Sequence, residues 1–126
     1  MITGTHILFY STDPEADRAF LRDVLGFRNV DAGQGWLIFA MPPAEAAVHP
    51  GDESSARTHA GSQMLGAVVY FMCDDVKATV RSLEAKKVKC APLAQERWGI
   101  RTAITLPSGG QIGLYQPSHA IALDLK

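Results

Sequence analysis

Residues 13–27 read DPEADRAFLRDVLGF, and this stretch carries the main features of a capped amphipathic helix. Thr12 or Asp13 can cap the helix, and Pro14 fits its first turn. The run ends at Gly26, a typical C-terminal cap. Between these limits, apolar residues recur at helical spacing: Ala16, Ala19, Phe20, Val24 and Leu25. The stretch therefore predicts one helix packed by a single face.

Extended segments flank this helix. Residues 5–11, THILFYS, are apolar, β-branched and aromatic, which favours a strand. Three further strands are expected after the helix, over residues 27–31, 35–41 and 44–49, with a glycine-containing turn between the first two. The first half therefore predicts the order βαβββ.

The second half repeats this order of elements. A strand at residues 67–73 precedes a helix that begins at Asp74-Asp75, and three strands follow at residues 90–95, 99–106 and 111–116. An offset of 62 residues superimposes Phe9 on Phe71 and Ala16 on Ala78. We therefore predict an internal duplication, with βαβββ modules at about 4–50 and 66–118 and a Gly, Ser and charge-rich loop at 51–65.

Composition limits the possible classes of protein. A chain of 126 residues with 47% hydrophobic residues and a net charge of -1 suits a single globular domain over residues 1–126. It has no broad basic face for nucleic acid and no apolar run for a membrane. The first fifteen residues lack a basic region typical of signal peptides, so a cytoplasmic location is expected. Cys73 and Cys90 have no CxxC spacing and are expected to be free thiols.

The last predicted strand contains an unexpected glycine. Residues 110–117 read GQIGLYQP, and Gly113 interrupts an otherwise apolar alternation. A glycine there costs backbone entropy and packs nothing. Either another group comes close to the backbone at this point, or a side chain that could have stood there is absent.

Taken together, the two βαβββ units, the FLRDVLGF motif and the closing GG-x-I-x-LYQP resemble the vicinal oxygen chelate superfamily. That superfamily contains glyoxalase I, extradiol dioxygenases, fosfomycin-resistance enzymes and bleomycin-resistance binding proteins. The resemblance extends from Thr5 to about Pro117. It implies an α+β fold of paired βαβββ modules that form an open cup, usually completed by a homodimer. It does not specify one function, because several chemistries share this scaffold.

The family's metal-ligand positions are only partly filled by suitable residues. The resemblance places His6 at the first ligand position and Glu45 at the second, with His49 facing the same way as Glu45. The third position falls on Val68 and the fourth on Gly113, neither of which can supply a ligand. A catalytic divalent ion needs about three protein ligands, so the resemblance implies no cofactor, although a divalent metal on His6, Glu45 and His49 stays possible.

We therefore predict a small-molecule-binding protein that captures a planar or aromatic ligand in a dimeric cup without a metal. Each of the expected ligand-binding residues can also be a core or solvated residue: His6, Trp36, Glu45, Tyr70, Trp98, Arg101, Gln111 and Tyr115. The alternative is a metal-dependent lyase, isomerase or dioxygenase-like enzyme that uses His6 and Glu45. A third possibility is an accessory domain with a vestigial cup. The sequence does not identify the ligand or substrate.

Overall fold

A computed structural model describes residues 1–125. Two helices and nine short strands are formed among these residues, which confirms the predicted α+β class. The chain divides into two compact units: residues 1–41 with 105–111, called here the first unit, and residues 42–104 with those from 112 onward, called the second unit. No helix within the described residues is long and apolar enough to cross a membrane.

The first unit contains the predicted helix and one hairpin. Helix α1 spans Pro14–Asp23, and the Asp13 side chain caps it by accepting a hydrogen bond from the Ala16 N–H at 3.3 Å. Strands β1 (Asn29–Asp31) and β2 (Leu37–Phe39) pair antiparallel. The predicted turn between them is confirmed, because residues 33–35 all adopt positive φ angles.

A carboxylate joins α1 to the turn at residues 107–110 within the same unit. Asp17 accepts hydrogen bonds from the hydroxyls of Ser11 and Ser108, each at 2.6 Å, and from the Ser108 N–H at 3.0 Å. Three donors on one half-buried carboxylate fix the start of the helix against a turn about ninety residues later in the chain. A residue in the first turn of α1 thus also makes a long-range contact.

Two of the predicted strands are not formed. The structure assigns no strand to residues 5–11 or to residues 44–49. A strand is defined by hydrogen bonds to a neighbouring strand, and neither segment has such a neighbour among the described residues. Ile7, Leu8 and Phe9 are instead 38%, 50% and 42% exposed. The residue pattern was compatible with strands, but it carried no information about a pairing partner.

A five-stranded sheet organises the second unit. Its strands are β5 (Tyr70–Met72), β6 (Lys89–Cys90), β7 (Ala94–Glu96), β8 (Gly99–Thr105) and β9 (Gln111–Pro117). The order is β5-β9-β8-β6, with β7 paired to β8. The edge strand β5 pairs parallel with β9, whereas β7 and β8 form an antiparallel hairpin. The predicted strand at 90–95 is therefore split between β6 and β7.

Helix α2 (Val76–Ala85) supplies the core of this unit. Its cap is Asp75, whose side chain accepts from the Ala78 N–H at 3.0 Å. One face of this helix is buried together with Val88 after it and with residues of β8 and β9: Val76, Val80, Leu83, Val88, Ile104, Ile112 and Leu114. Both ends of α2 lie 62 residues after those of α1 (76 minus 14 and 85 minus 23), which matches the offset found in the sequence.

The segment expected to be an irregular loop is partly ordered. Within residues 51–65, a 3₁₀ turn (Glu53–Ser55) precedes the antiparallel strands β3 (Arg57–His59) and β4 (Ser62–Met64). Ala60 and Gly61 form the two-residue connection, and both have positive φ angles, of 51° and 81°. This is the turn geometry that two-residue hairpins require. Alanine rarely adopts it, so the sequence carried no hairpin signal.

Candidate functional site

Three aromatic rings form a cluster in the second unit. Tyr70 lies on β5, Trp98 in the β7–β8 turn and Tyr115 on β9. Their ring centroids are 5.6 Å apart for Tyr70 and Trp98, 5.5 Å for Tyr70 and Tyr115, and 5.3 Å for Trp98 and Tyr115. The interplanar angles are 71–80°, so every pair is edge-to-face, the arrangement that aromatic quadrupoles favour. We call these three residues the aromatic cluster.

The cluster combines internal contact with exposure. Tyr70 is 39% exposed and Trp98 is 36% exposed, while Tyr115 is half-buried. Each ring therefore packs against two others and still presents surface to solvent. Exposed rings held in fixed positions by their neighbours are suited to contact another apolar or aromatic group.

Gly113 explains how the cluster is accommodated on the sheet. In the parallel pairing of β5 and β9, Gly113 lies opposite Tyr70. A Cβ atom placed at residue 113 would overlap the Tyr70 ring. The glycine therefore makes room for this ring, which answers the question raised by the sequence: another group does come close to the backbone there.

The β7–β8 turn holds Trp98 beside the end of β9. Only Arg97 and Trp98 connect the two strands, because Glu96 pairs with Gly99. Beyond β9, Ser118 donates from its N–H to the Trp98 carbonyl and from its hydroxyl to the Arg97 carbonyl, both at 2.9 Å. These backbone contacts fix the position of the indole.

His119 lies against the cluster and was not identified from the sequence. Its ring lies at the hydroxyl edge of Tyr115 and is nearly parallel to it, with centroids 5.9 Å apart and an interplanar angle of 26°. Its Nδ1 lies 2.7 Å from the Ala120 carbonyl, and its Nε2 lies 3.0 Å from the Tyr115 hydroxyl. A carbonyl oxygen can only accept, so Nδ1 carries a proton, and in the tautomer with its proton on Nδ1 the Nε2 atom accepts from the Tyr115 hydroxyl. The only indication of this contact in the sequence is the presence of a histidine two residues after Pro117.

Glu45 adds a negative charge near the cluster. Its Oε1 accepts a hydrogen bond from the Ala122 N–H at 3.2 Å. Burial and, as a smaller cause, the charge of Glu45 raise the pKa of the Tyr115 hydroxyl above the usual tyrosine value. Tyr115 is therefore a neutral hydrogen-bond donor throughout the physiological pH range.

The structure does not gather all the predicted ligand-binding residues. Arg101 is engaged by Glu96, with its Nε and Nη2 each 3.0 Å from Oε1. His6, Trp36 and Gln111 belong to the first unit. The Gln111 amide contacts the Thr105 hydroxyl at 3.4 Å, and His6 is exposed. Of the eight residues, the structure thus brings together Tyr70, Trp98 and Tyr115, with Glu45 alongside.

A cleft lies in the first unit, away from the residues of the aromatic cluster in sequence. This cleft of about 460 Å³ is lined by residues of both charges, among them Glu15, Arg18, Arg22 and Asp31. The Arg18 guanidinium lies 4.7 Å from the centre of the Trp36 ring. The exposed Trp36 side chain is therefore engaged by a neighbouring cation, and we assign no ligand to this cleft.

The residues present do not fit the metal site of the metal-dependent relatives. Among residues 1–125, no three His, Cys, Asp or Glu side chains lie close enough to hold an ion. Val68 is 84% exposed and precedes β5 rather than lying within a strand. At the last position, the Tyr70 ring fills the space that a side chain at residue 113 would need. A Gly113→Glu substitution would therefore require Tyr70 to move before it could offer a ligand.

The comparisons with known proteins agree with this architecture. Residues 5–112 match the family model described as the Glyoxalase/Bleomycin resistance protein/Dioxygenase superfamily. No curated protein sequence matches the chain significantly. Similar solved structures include the antibiotic-binding protein TnmS3 from Streptomyces sp. CB03234, with 20% identity, a TM-score of 0.55, and coverage of 94% of this chain and 99% of that chain.

Two other solved structures are similar to this chain. Lactoylglutathione lyase from Agrobacterium tumefaciens has 21% identity and a TM-score of 0.61, over 90% of this chain and 92% of the other. A superfamily member from Sphaerobacter thermophilus DSM 20745 has 21% identity and a TM-score of 0.57, over 91% and 98% of the two chains. At these identities the likeness concerns the fold. Because the family model covers most of its length, the chain belongs to the glyoxalase/bleomycin resistance protein/dioxygenase superfamily.

Proposed function

We propose that this protein captures a planar aromatic small molecule on the aromatic cluster, without a metal ion and without chemical conversion. The observation that carries the proposal is the mutual edge-to-face packing of Tyr70, Trp98 and Tyr115 with part of each ring left accessible. Fixed, partly exposed rings with a few polar groups are typical of small-molecule sites. Membership of the superfamily is compatible both with ligand binding and with catalysis, so the choice between these two functions depends on the residues of the site.

The energetics of such a site favour moderate affinity. Covering about 200 Å² of apolar ring surface contributes about 5 kcal/mol at about 25 cal/mol per Å². Association costs at least about 4 kcal/mol in lost freedom. Burial alone therefore gives weak binding, and polar recognition by Glu45 and the Tyr115 hydroxyl must supply the remaining affinity. Because the rings are already held by each other, little side-chain entropy is lost on binding.

The case against a catalytic metal rests on Gly113 and Tyr70. The metal-dependent members need a ligand at the position of Gly113, and the space for that side chain is filled by an aromatic ring. We expect the purified protein to contain well below one equivalent of Ni, Zn, Fe or Mn by elemental analysis. A stoichiometric content that is lost in a His6→Ala or Glu45→Ala variant would favour the metal-dependent lyase or dioxygenase-like alternative instead.

We further propose that the functional form is a homodimer. Ile7, Leu8 and Phe9 form a continuous run of exposed apolar side chains. Such a run, next to backbone that is not paired in a sheet, is suited to a second copy of the chain. Sedimentation should show a dimer, and Leu8→Asp should shift it to a monomer with unchanged helix content. A monomeric wild-type protein at micromolar concentration would contradict this part of the proposal.

Two tryptophans in different units allow a direct test of the binding site. Trp98 belongs to the cluster, whereas Trp36 is in the first unit and contacts Arg18. Planar probes, beginning with isoquinoline, should change the fluorescence of a Trp36→Phe variant saturably. A matched Trp98→Phe variant, which keeps Trp36 as its reporter, should give no saturable change. The opposite pattern would place binding elsewhere and refute the proposal.

A further inference from the structure

Residues 118–122, called here the C-terminal segment, contact the aromatic cluster and its surroundings at three points. Ser118 is bonded to the β7–β8 turn, and the Ala122 N–H donates to Glu45. Between these two anchors, His119 is placed against Tyr115. The segment thus connects three parts of the candidate site, although its side chains at 118–122 are exposed.

His119 contacts the cluster in a way that differs from the contacts among the cluster's own rings. Those three pairs are edge-to-face at 71–80°, whereas the His119 ring is within 26° of parallel to Tyr115. A flat ring at the hydroxyl edge of Tyr115, with its edge nitrogen 3.0 Å from the tyrosine hydroxyl, makes the hydrogen bond that a bound heteroaromatic molecule with an acceptor nitrogen would make.

We propose that, in the free protein, Nε2 of His119 occupies the position at which the ligand's hydrogen-bond acceptor binds. The ligand is then a planar heteroaromatic ring that carries a hydrogen-bond acceptor at its edge. This inference rests on the proposed function, and it narrows the ligand class from planar molecules in general to those with an acceptor that can replace Nε2. Binding places the ligand on the aromatic cluster, transfers the tyrosine hydrogen bond from Nε2 of His119 to the ligand's acceptor and moves His119 into solvent.

The anchors of the C-terminal segment are consistent with such a displacement. The Glu45 to Ala122 hydrogen bond is 3.2 Å long and exposed, and the Nδ1 bond of His119 goes to its own neighbour, Ala120. Exposed hydrogen bonds are readily exchanged for bonds to water, so the hydrogen bonds described here for His119 and Ala122 cost little to break. The Ser118 bonds to the β7–β8 turn can persist, and they keep Trp98 in position while His119 moves.

The test compares two neutral probes of the same size, isoquinoline with a ring nitrogen acceptor and naphthalene without one. Titrations use the full-length chain in the Trp36→Phe background, where Trp98 reports binding. We expect isoquinoline to bind at least about fivefold more tightly than naphthalene, the effect of one hydrogen bond. In this background, His119→Ala should bind isoquinoline about fivefold to tenfold more tightly still, because no internal hydrogen bond to the Tyr115 hydroxyl has to be broken.

Two further variants complete the design. Tyr115→Phe keeps the ring but removes the hydroxyl, so it should abolish the preference for isoquinoline over naphthalene. His59→Ala, on the β3–β4 hairpin, is the matched control and should leave both affinities within about twofold. Hydrogen exchange at the Ala122 amide should become faster when isoquinoline binds, since the contact with Glu45 is released. Circular dichroism establishes that each variant is folded.

The outcomes separate this inference from the proposed function. If the reference protein binds probes at Trp98 but His119→Ala binds them equally or more weakly, His119 does not occupy the acceptor's position, and the inference fails while the proposed function stands. Retention of the isoquinoline preference in Tyr115→Phe would overturn the inferred ligand class. If neither the reference protein nor His119→Ala binds any planar probe, the proposed function fails and the inference fails with it.

Discussion

Replacing Gly113 with alanine tests the link between the sheet and the aromatic cluster. A Cβ at this position overlaps the Tyr70 ring, so the ring must leave its place. Tyr70 is 39% exposed and can rotate into solvent, which means that the main loss is its edge-to-face contacts with Trp98 and Tyr115. Aromatic pairs contribute about 0.5–1.5 kcal/mol each, so the two contacts together amount to about 1–3 kcal/mol.

A second effect has the opposite sign. The φ angle of Gly113 is not in the positive range, so alanine fits the backbone there. At a compatible position, glycine to alanine stabilises by about 0.4–1 kcal/mol through the unfolded chain. We therefore expect Gly113→Ala to destabilise the protein by about 1–2 kcal/mol in total. This corresponds to a fall in Tm of roughly 4–8 °C for a domain of this size.

The assay is a double-mutant cycle with Tyr70→Ala, followed by urea unfolding. Once the ring is gone, the added Cβ has nothing to displace, so Gly113→Ala should be neutral or stabilising by about 0.5 kcal/mol in the Tyr70→Ala background. The coupling free energy between the two sites should thus be about 2 kcal/mol. A coupling near zero, or an equal penalty in both backgrounds, would refute the assignment of Gly113 as the space for the Tyr70 ring.

Three other predictions address separate parts of the chain. Asp17→Ala removes the acceptor of three hydrogen bonds and should lower the free energy of unfolding by about 1–3 kcal/mol. The exposed control Glu15→Ala, on the same helix, should change the free energy of unfolding by less than about 0.5 kcal/mol. Equal effects of the two substitutions would contradict the role of Asp17. Tyr115 has a raised pKa, so its folded form holds the proton more tightly and the associated stability is lost as pH rises through and above the usual tyrosine value of about 10. Glu45→Gln should lower the Tyr115 pKa in a spectrophotometric titration, but only partly because burial is the larger cause, and an unchanged pKa would exclude the charge of Glu45 as a contributor. Burial is also the main cause that raises the pKa of the Cys73 thiol. Alkylation of this thiol by iodoacetamide near neutral pH should therefore be several times slower in the folded protein than in the urea-unfolded chain. An equal rate would show that the thiol is not protected.

The helices could be predicted because their signals are local. Asp13 and Asp75 cap α1 and α2 as the residue pattern indicated, and the apolar stripe of α2 is buried. Capping and helical periodicity depend on residues within one or two turns of each other. The repeat of 62 residues then identified the same element twice, and it matched both helix ends.

The strands were harder to predict because pairing is not local. Residues 5–11 have the composition of a strand, yet they have no pairing strand among the described residues. Conversely, β3 and β4 were missed because their turn uses Ala60 at a positive φ angle, which no common turn motif indicates. Composition predicts that a segment can be extended, but it does not specify the partner that makes it a strand.

The candidate site was predicted in part. Tyr70, Trp98 and Tyr115 were identified as aromatic residues on or near strands, and they lie in contact. The reason for Gly113 could not be found in the sequence, because the group that needs the space comes from a strand about forty residues earlier. His119 was missed because it lies beyond the residues that carry the family resemblance, and its contact with Tyr115 depends on the path of the chain after β9.

The most direct test of the central claim is a structure of the protein with isoquinoline bound, or intermolecular NOEs from the same complex in solution. The account predicts contacts between the probe and the rings of Tyr70, Trp98 and Tyr115, at one probe per chain. It also predicts that Nε2 of His119 is no longer hydrogen-bonded to the Tyr115 hydroxyl in the complex. A probe bound at Trp36 in the first unit, or one coordinated to a metal ion held by His6 and Glu45, would contradict it.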